Sequence, residues 1–204
     1  MSTPSTTPLP RRLAACAVPG TLVFVLTACG AVTDAAQPRA SASLVSPEQA
    51  VQRLDALLED SLSQVQPRPR YWDAWPRSTE QTGGTEDGSP GYATATRDRY
   101  IMTKVAPAKY DALIDMVGQG WKAKGYTVAA PAGSALPSLT ARTPDGSSVT
   151  ITVFEFGNID ISATVPRIPV IRDHDPFGTP TPDPVMANGN LDVLPRYDDP
   201  FWSS

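Results

Sequence analysis

Cysteine and histidine are nearly missing from this chain. It holds two cysteines, Cys16 and Cys29, and one histidine, His174, in 204 residues. That scarcity removes most thiolate, disulfide, zinc and histidine acid–base chemistry from consideration. Basic charge is also scarce, with 17 lysines and arginines against 21 acids and a net charge of −4. A mildly acidic chain is a poor partner for nucleic acid and gains little from lying on an anionic membrane surface. The apolar run from Leu13 to Ala28 is interrupted by Pro19 and Gly20. It falls short of the roughly 20 residues that a spanning helix needs.

What that run does fit is a secretory signal. A polar start, Arg11-Arg12 and the apolar stretch to Ala28 give a charged region, a hydrophobic region and a small-residue cleavage site. Leu26-Thr27-Ala28-Cys29 resembles the bacterial lipobox. The resemblance implies that the Cys29 thiol carries a diacylglyceryl group and that cleavage before it makes Cys29 the new N-terminus. Two alternatives stand beside it: ordinary cleavage after Ala28, leaving a free thiol, and a short buried segment. Arg11-Arg12 also raises the twin-arginine export route against the general one. One acyl chain anchors only marginally, at about 0.8 kcal/mol per methylene, whereas the two or more of a lipoprotein cysteine anchor stably. Loss of residues 1–28 takes Arg11, Arg12 and Cys16 with it, so 15 basic residues face 21 acidic ones, a net charge of −6.

Residues 29–45 are small, polar and Pro-interrupted, which reads as a flexible tether reaching about 20–25 Å. Ser46-Pro47-Glu48-Gln49 then carries an N-cap, a first-turn proline and a capping-box glutamine. Val51, Leu54, Leu57, Leu58, Leu62 and Val65 follow at helical spacing, up to the stop at Pro67. Ala93–Val105 alternates like a strand. A second helix is expected from Pro107 to the C-cap Gly125, with Tyr110, Leu113, Ile114, Val117 and Trp121 on one face. Gly118 and Gly120 inside it point to a close neighbour. Short strands are expected at Tyr126–Val128, Leu136–Thr143, Ser147–Phe156 and Ile159–Val165. Reading Gly157-Asn158 as a two-residue hairpin loop pairs Phe156 with Ile159 and Phe154 with Ile161. That register puts Phe154, Phe156, Ile159 and Ile161 under the helices and leaves Val149, Ile151 and Val153 on the other face.

The expected fold is α+β: two helices packed on a mainly antiparallel sheet of four or five strands over residues 46–165. Residues 166–204 are Pro-rich and acidic with no periodicity, and read as a disordered tail. A sharper alternative makes the tail a docking segment, anchored by Phe177, Tyr197, Phe201 and Trp202, that lies along the domain or binds another envelope protein. In signal, lipobox and layout the chain resembles small actinobacterial envelope lipoproteins. That resemblance implies a lipid-anchored location on the extracytoplasmic face of the cell membrane and no activity.

Two clusters are candidates for chemistry. Arg70, Tyr71, Trp72 and Trp75 combine arginines with aromatic faces, a surface for a glycan, a peptide or a protein. In the competing reading Trp72 and Trp75 only lid the edge of the core. Glu155 and Asp160 would face each other across the hairpin as a pair that shares a proton or a cation. Asp73 with Glu80 or Glu86 is a second possible carboxylate pair. A non-enzymatic binding module is the leading reading, with no metal ligands, no cofactor, and an envelope protein or glycan as partner. The alternative is an envelope-polymer hydrolase, which requires two carboxylates about 5–10 Å apart across a groove.

Overall fold

The computed structural model describes residues 43–82, 91–130 and 136–204. The signal, the lipobox with Cys29, most of the tether, and Glu86 therefore lie outside the described residues. Among those described, no helix is long and apolar enough to cross a membrane. Two helices, α1 (Pro47–Leu62) and α2 (Tyr110–Ala123), accompany a seven-stranded antiparallel sheet. Its strands are β1 (Tyr71–Asp73), β2 (Arg77–Glu80), β3 (Tyr92–Ile101), β4 (Thr127–Ala129), β5 (Ser138–Arg142), β6 (Ser148–Val153) and β7 (Ile159–Pro169). They are ordered β1-β3-β7-β6-β5-β4, with β2 beside β1 on the same edge of β3. The α+β class and the antiparallel sheet agree with the sequence, but the strand number exceeds four or five. The two additional strands are short and sit in the stretch after Pro67. They arise because β3 is long enough to pair with both, through Tyr71–Ile101 and Arg77–Thr96.

Local chemistry explains the helices. Ser46 accepts from the Gln49 amide at 3.3 Å, and Ala50, Leu54, Leu57, Leu58 and Leu62 form the buried stripe of α1. The indole of Trp121 on α2 donates to Ser61 on α1 at 2.9 Å, which joins the two helices inside the core. The glycines of α2 mark two different close approaches. A Cβ on Gly118 would lie 2.7 Å from the Leu139 side chain of β5, and one on Gly120 would lie 3.3 Å from Gln64.

The hairpin between β6 and β7 corrects the expected register. Its loop is Glu155-Phe156-Gly157, closed by Phe154 N–H to Asn158 C=O at 2.9 Å, with Gly157 at φ 78°. A left-handed glycine at that position makes the three-residue hairpin with a bulge, not the two-residue loop. Ile161 therefore pairs with Ile151, not Phe154, and Ile159 with Val153. The shift is odd, so it turns every β6 side chain to the opposite face. Val149, Ile151 and Val153 are fully buried in the core under the helices, while Phe154 and Phe156 are 41% and 87% exposed.

The C-terminal segment is likewise corrected. β7 runs past residue 165 to Pro169, and the chain beyond it packs on the domain as an extended strap. Tyr197 bridges Thr103, Lys104 donates to the Tyr197 carbonyl at 2.8 Å, and Ala106 donates to that of Trp202 at 2.7 Å. Trp202 is fully buried in the main core, and its indole donates to the Pro67 carbonyl at 2.6 Å. Proline and acid content hid this segment because its order comes from long-range anchors and not from a periodic core of its own.

One buried charge ties sheet to helix. Arg99 on β3 is 3% exposed, points to the helix side, and donates to both Asp73 oxygens at 2.6 and 2.9 Å and to the Leu58 carbonyl at 2.9 Å. Tyr71 stacks on its guanidinium at 3.7 Å. Removing one partner of such a buried pair leaves a charge without compensation, at a cost of about 3–5 kcal/mol. Asp73→Ala is accordingly expected to lose about that much in urea unfolding, and Asp73→Val with Arg99→Met to recover most of it. A single mutant as stable as wild type would contradict this role. Trp202→Ala should cost about 3–5 kcal/mol by the same measurement; a disordered tail would show no change.

Candidate functional site

The aromatic stretch forms one wall of a seam that the strap closes. Proline denies the strap a regular ladder, so it is held by side chains. The Trp75 amide donates to Asp183 at 3.0 Å, and its indole donates to Asp175 at 3.1 Å. The other Asp175 oxygen accepts from the Phe177 amide at 2.8 Å. The Trp72 indole donates to the Asp192 carbonyl at 2.9 Å, and its ring lies 4.7 Å from that of Tyr100. Half-buried indole N–H groups need acceptors, and here the strap supplies them. Trp72 and Trp75 thus do not lid the core edge alone; the strap covers them in turn.

Three clefts adjoin along this seam. One, of about 430 Å³, is lined by Trp75, Arg77, Thr79, Glu80, Arg172 and Asp175. A second, of about 350 Å³, lies between Trp72, Trp75, Arg97 and Pro182-Asp183-Pro184. The third, of about 500 Å³, separates Glu48, Val51 and Gln52 of α1 from His174 and Phe177. Each falls in the roughly 300–1,000 Å³ range of small-molecule sites. Trp75 is shared by the first two and Asp175 by the first and third, so two anchored residues shape the whole seam.

The other expected binding residues are employed internally. Arg70 stacks on Tyr197 of the strap at 4.6 Å, and Tyr71 is covered by Arg99. Neither is among the lining residues of the three clefts. Asp73 is paired with Arg99 and Glu80 with Arg172, so that pair is not brought together as an acid–base site.

The Glu155–Asp160 pair does not form either. Glu155 is exposed in the hairpin loop, whereas Asp160 stands opposite Thr152 and Tyr100 on the face of the sheet away from the helices. Its acidic neighbour is Asp98, opposite Ser162 and therefore diagonal to Asp160. Asp98 is 7% exposed and takes an ion pair from Arg77. Burial first, and the Asp98 charge second, push the Asp160 carboxyl up to about 6. Burial also raises the Tyr100 phenol, with Asp98 adding to it. Asp98 and Asp160 therefore form an acidic pair, brought together by the pairing of β3 with β7, strands 62 positions apart at these residues. Asp175 and Asp183 had no sequence signal, since they act on Trp75 from 100 and 108 residues away. Arg99 had one, because it shares strand parity with buried Ala95 and Ile101.

Among the described residues no group of three or more histidine, cysteine or acidic side chains is arranged to hold a metal ion. No family model, curated protein or solved structure matches this chain.

The Asp160 environment fixes a sign for pH dependence. Its folded value lies above the ordinary carboxylate range, so the protonated form is favoured by folding. The stability this gives is complete below about pH 4 and is lost as pH rises through about 6. Asp160→Asn should remove that decline and be more stable than wild type at pH 7 by about 1–2 kcal/mol after screening by water. Urea midpoints from pH 4 to 7 measure it, and parallel profiles for the two proteins would refute the assignment.

Proposed function

We propose that the chain is an extracytoplasmic lipoprotein, anchored to the cell membrane through acylated Cys29, whose domain is a non-enzymatic module that binds a component of the envelope. The anchor rests on the signal, the lipobox resemblance and the tether composition. The observation that carries the binding reading is Trp75, fixed by Asp183 and Asp175 so that its ring walls a cleft also lined by hydroxyl, guanidinium and carboxylate groups. An anchored aromatic among convergent polar groups is preorganised, which lowers the ordering cost of binding. The partner is an envelope glycan or protein. Nucleic acid is disfavoured by the net charge of −6 that remains after the signal is removed.

A hydrolytic second reading has one observation in its favour, the raised Asp160 carboxyl beside Asp98. A carboxyl that burial and a neighbouring carboxylate push up toward neutrality is the kind of group a general acid uses. Against it, neither residue lines any of the three seam clefts, and both belong to the sheet face away from the helices.

Three outcomes decide between these readings. Metabolic labelling with a palmitate analogue should mark the native protein and lose the mark in Cys29→Ser, which should also leave the membrane fraction. Isolated envelope should retain the acyl-free mature chain, and retention should weaken about tenfold or more in Trp75→Ala. Absence of retention in the wild-type chain would sink the binding reading. Release of reducing ends from envelope polymer, abolished by Asp160→Asn, would establish the hydrolase instead.

A further inference from the structure

Resting on that reading, we infer that the cleft between Trp75, β2 and the start of the strap takes a neutral sugar unit of a glycan. The charge pattern of its walls carries the inference. Two arginines and two carboxylates line it, Arg77, Arg172, Glu80 and Asp175, and each is engaged by the protein itself. Arg77 pairs with Asp98, and Arg172 donates to Glu80 at 2.6 Å. Asp175 accepts from the Trp75 indole on one oxygen and from the Phe177 amide on the other. A phosphate or a carboxylated ligand would meet guanidinium groups already neutralised and two carboxylates that repel it. A cationic ligand would meet the reverse.

An uncharged polyol suits the same wall. Paired guanidinium and carboxylate groups retain spare donors and lone pairs, which hydroxyls use in both directions without disturbing the charge balance. Ser78 and Thr79 of β2 add two more hydroxyls to the lining. The Trp75 ring supplies a flat apolar surface for the C–H face of a sugar, and its two hydrogen bonds to the strap hold it in place beforehand. Val170 and Ile171 add aliphatic side chains to the lining. A peptide would draw most of its affinity from backbone pairing with a strand edge, and nothing in the lining depends on such a ladder.

The experiment uses the acyl-free mature chain and four soluble probes: triacetylchitotriose and maltotriose as neutral trisaccharides, trigalacturonate as an acidic one, and inorganic phosphate. Binding is read by saturation-transfer NMR and by tryptophan fluorescence. At least one neutral trisaccharide should bind, with trigalacturonate and phosphate about tenfold weaker or silent. Trp75→Ala removes a strap anchor as well as the wall, so Thr79→Trp is the cleaner block: Thr79 is exposed on β2 and anchors nothing in the strap. Thr79→Trp should weaken the sugar about tenfold or more with an unchanged urea midpoint. Sugar binding undiminished by Thr79→Trp overturns the assignment of this cleft. If the envelope retains the chain but neither neutral trisaccharide binds, the sugar inference fails while the binding reading stands, and a peptide or protein ligand takes its place. If the envelope does not retain the chain, the binding reading itself fails.

Discussion

Arg99 is the residue on which the helix layer and the edge of the sheet meet. It sits two residues from the C-terminal end of β3, on the side that the helices cover, where every other β3 residue of the same parity except Arg97 is apolar. A guanidinium there is tolerated only if its donors are matched, and three groups from two elements match them: Asp73 and the ring of Tyr71 from β1, and the Leu58 carbonyl from α1. Glu59 of α1 adds a longer contact at 3.5 Å. The three-residue strand β1 has little pairing of its own to define its register, and the Asp73–Arg99 fork fixes it. With β1 placed, Trp72 is turned to one face of the sheet and Tyr71 to the other, and the seam with the strap follows.

The seam also resolves a problem common to open sheets. β1 and β2 form an edge whose unpaired backbone groups would otherwise be free to pair with another chain. Here the strap lies against that stretch, with Asp183 on the Trp75 amide and the Asp192 carbonyl on the Trp72 indole, and one isolated bridge, Thr103 to Tyr197, joins it beyond β3 in place of a full strand. Because the strap follows the edge without matching it residue for residue, gaps are left between the two, and those gaps are two of the three clefts. Edge protection and a place for a ligand come from the same irregular fit.

Much of the fold was legible in the sequence where a signal was local. The Ser46-Pro47 cap, the α1 stripe, the Gly125 stop and the antiparallel pairing of β5, β6 and β7 all follow from residues within a few positions of one another. What escaped depended on distance or on a single turn. The Gly157 bulge displaced the register by an odd number and so exchanged the faces of β6, which took Asp160 away from Glu155, while the pairing of β7 with β3 set Asp160 beside Asp98. The short strands β1 and β2 have no period to detect; they exist because β3 offers them an edge. The candidate site was half legible. Trp72 and Trp75 stood out by composition, whereas their acidic partners in the strap are ordinary residues of an acidic segment until the chain returns to them.

Trp202 has a consequence for how the domain is made. Its indole closes on the Pro67 carbonyl 135 positions earlier in the chain, and its ring completes the same core that α1 begins. A polypeptide that emerges from one end to the other presents the α1 stripe long before the ring that seals it arrives. Until then the core lacks one of its two fully buried tryptophans, Trp121 being the other. Closure of the loop between Pro67 and Trp202 is entropically late, since long-range contacts are made only after the intervening chain is confined. The apolar face that appears first is therefore covered last, and any chaperone that accompanies the passage of the chain would meet its longest-lived apolar surface at the beginning of the domain.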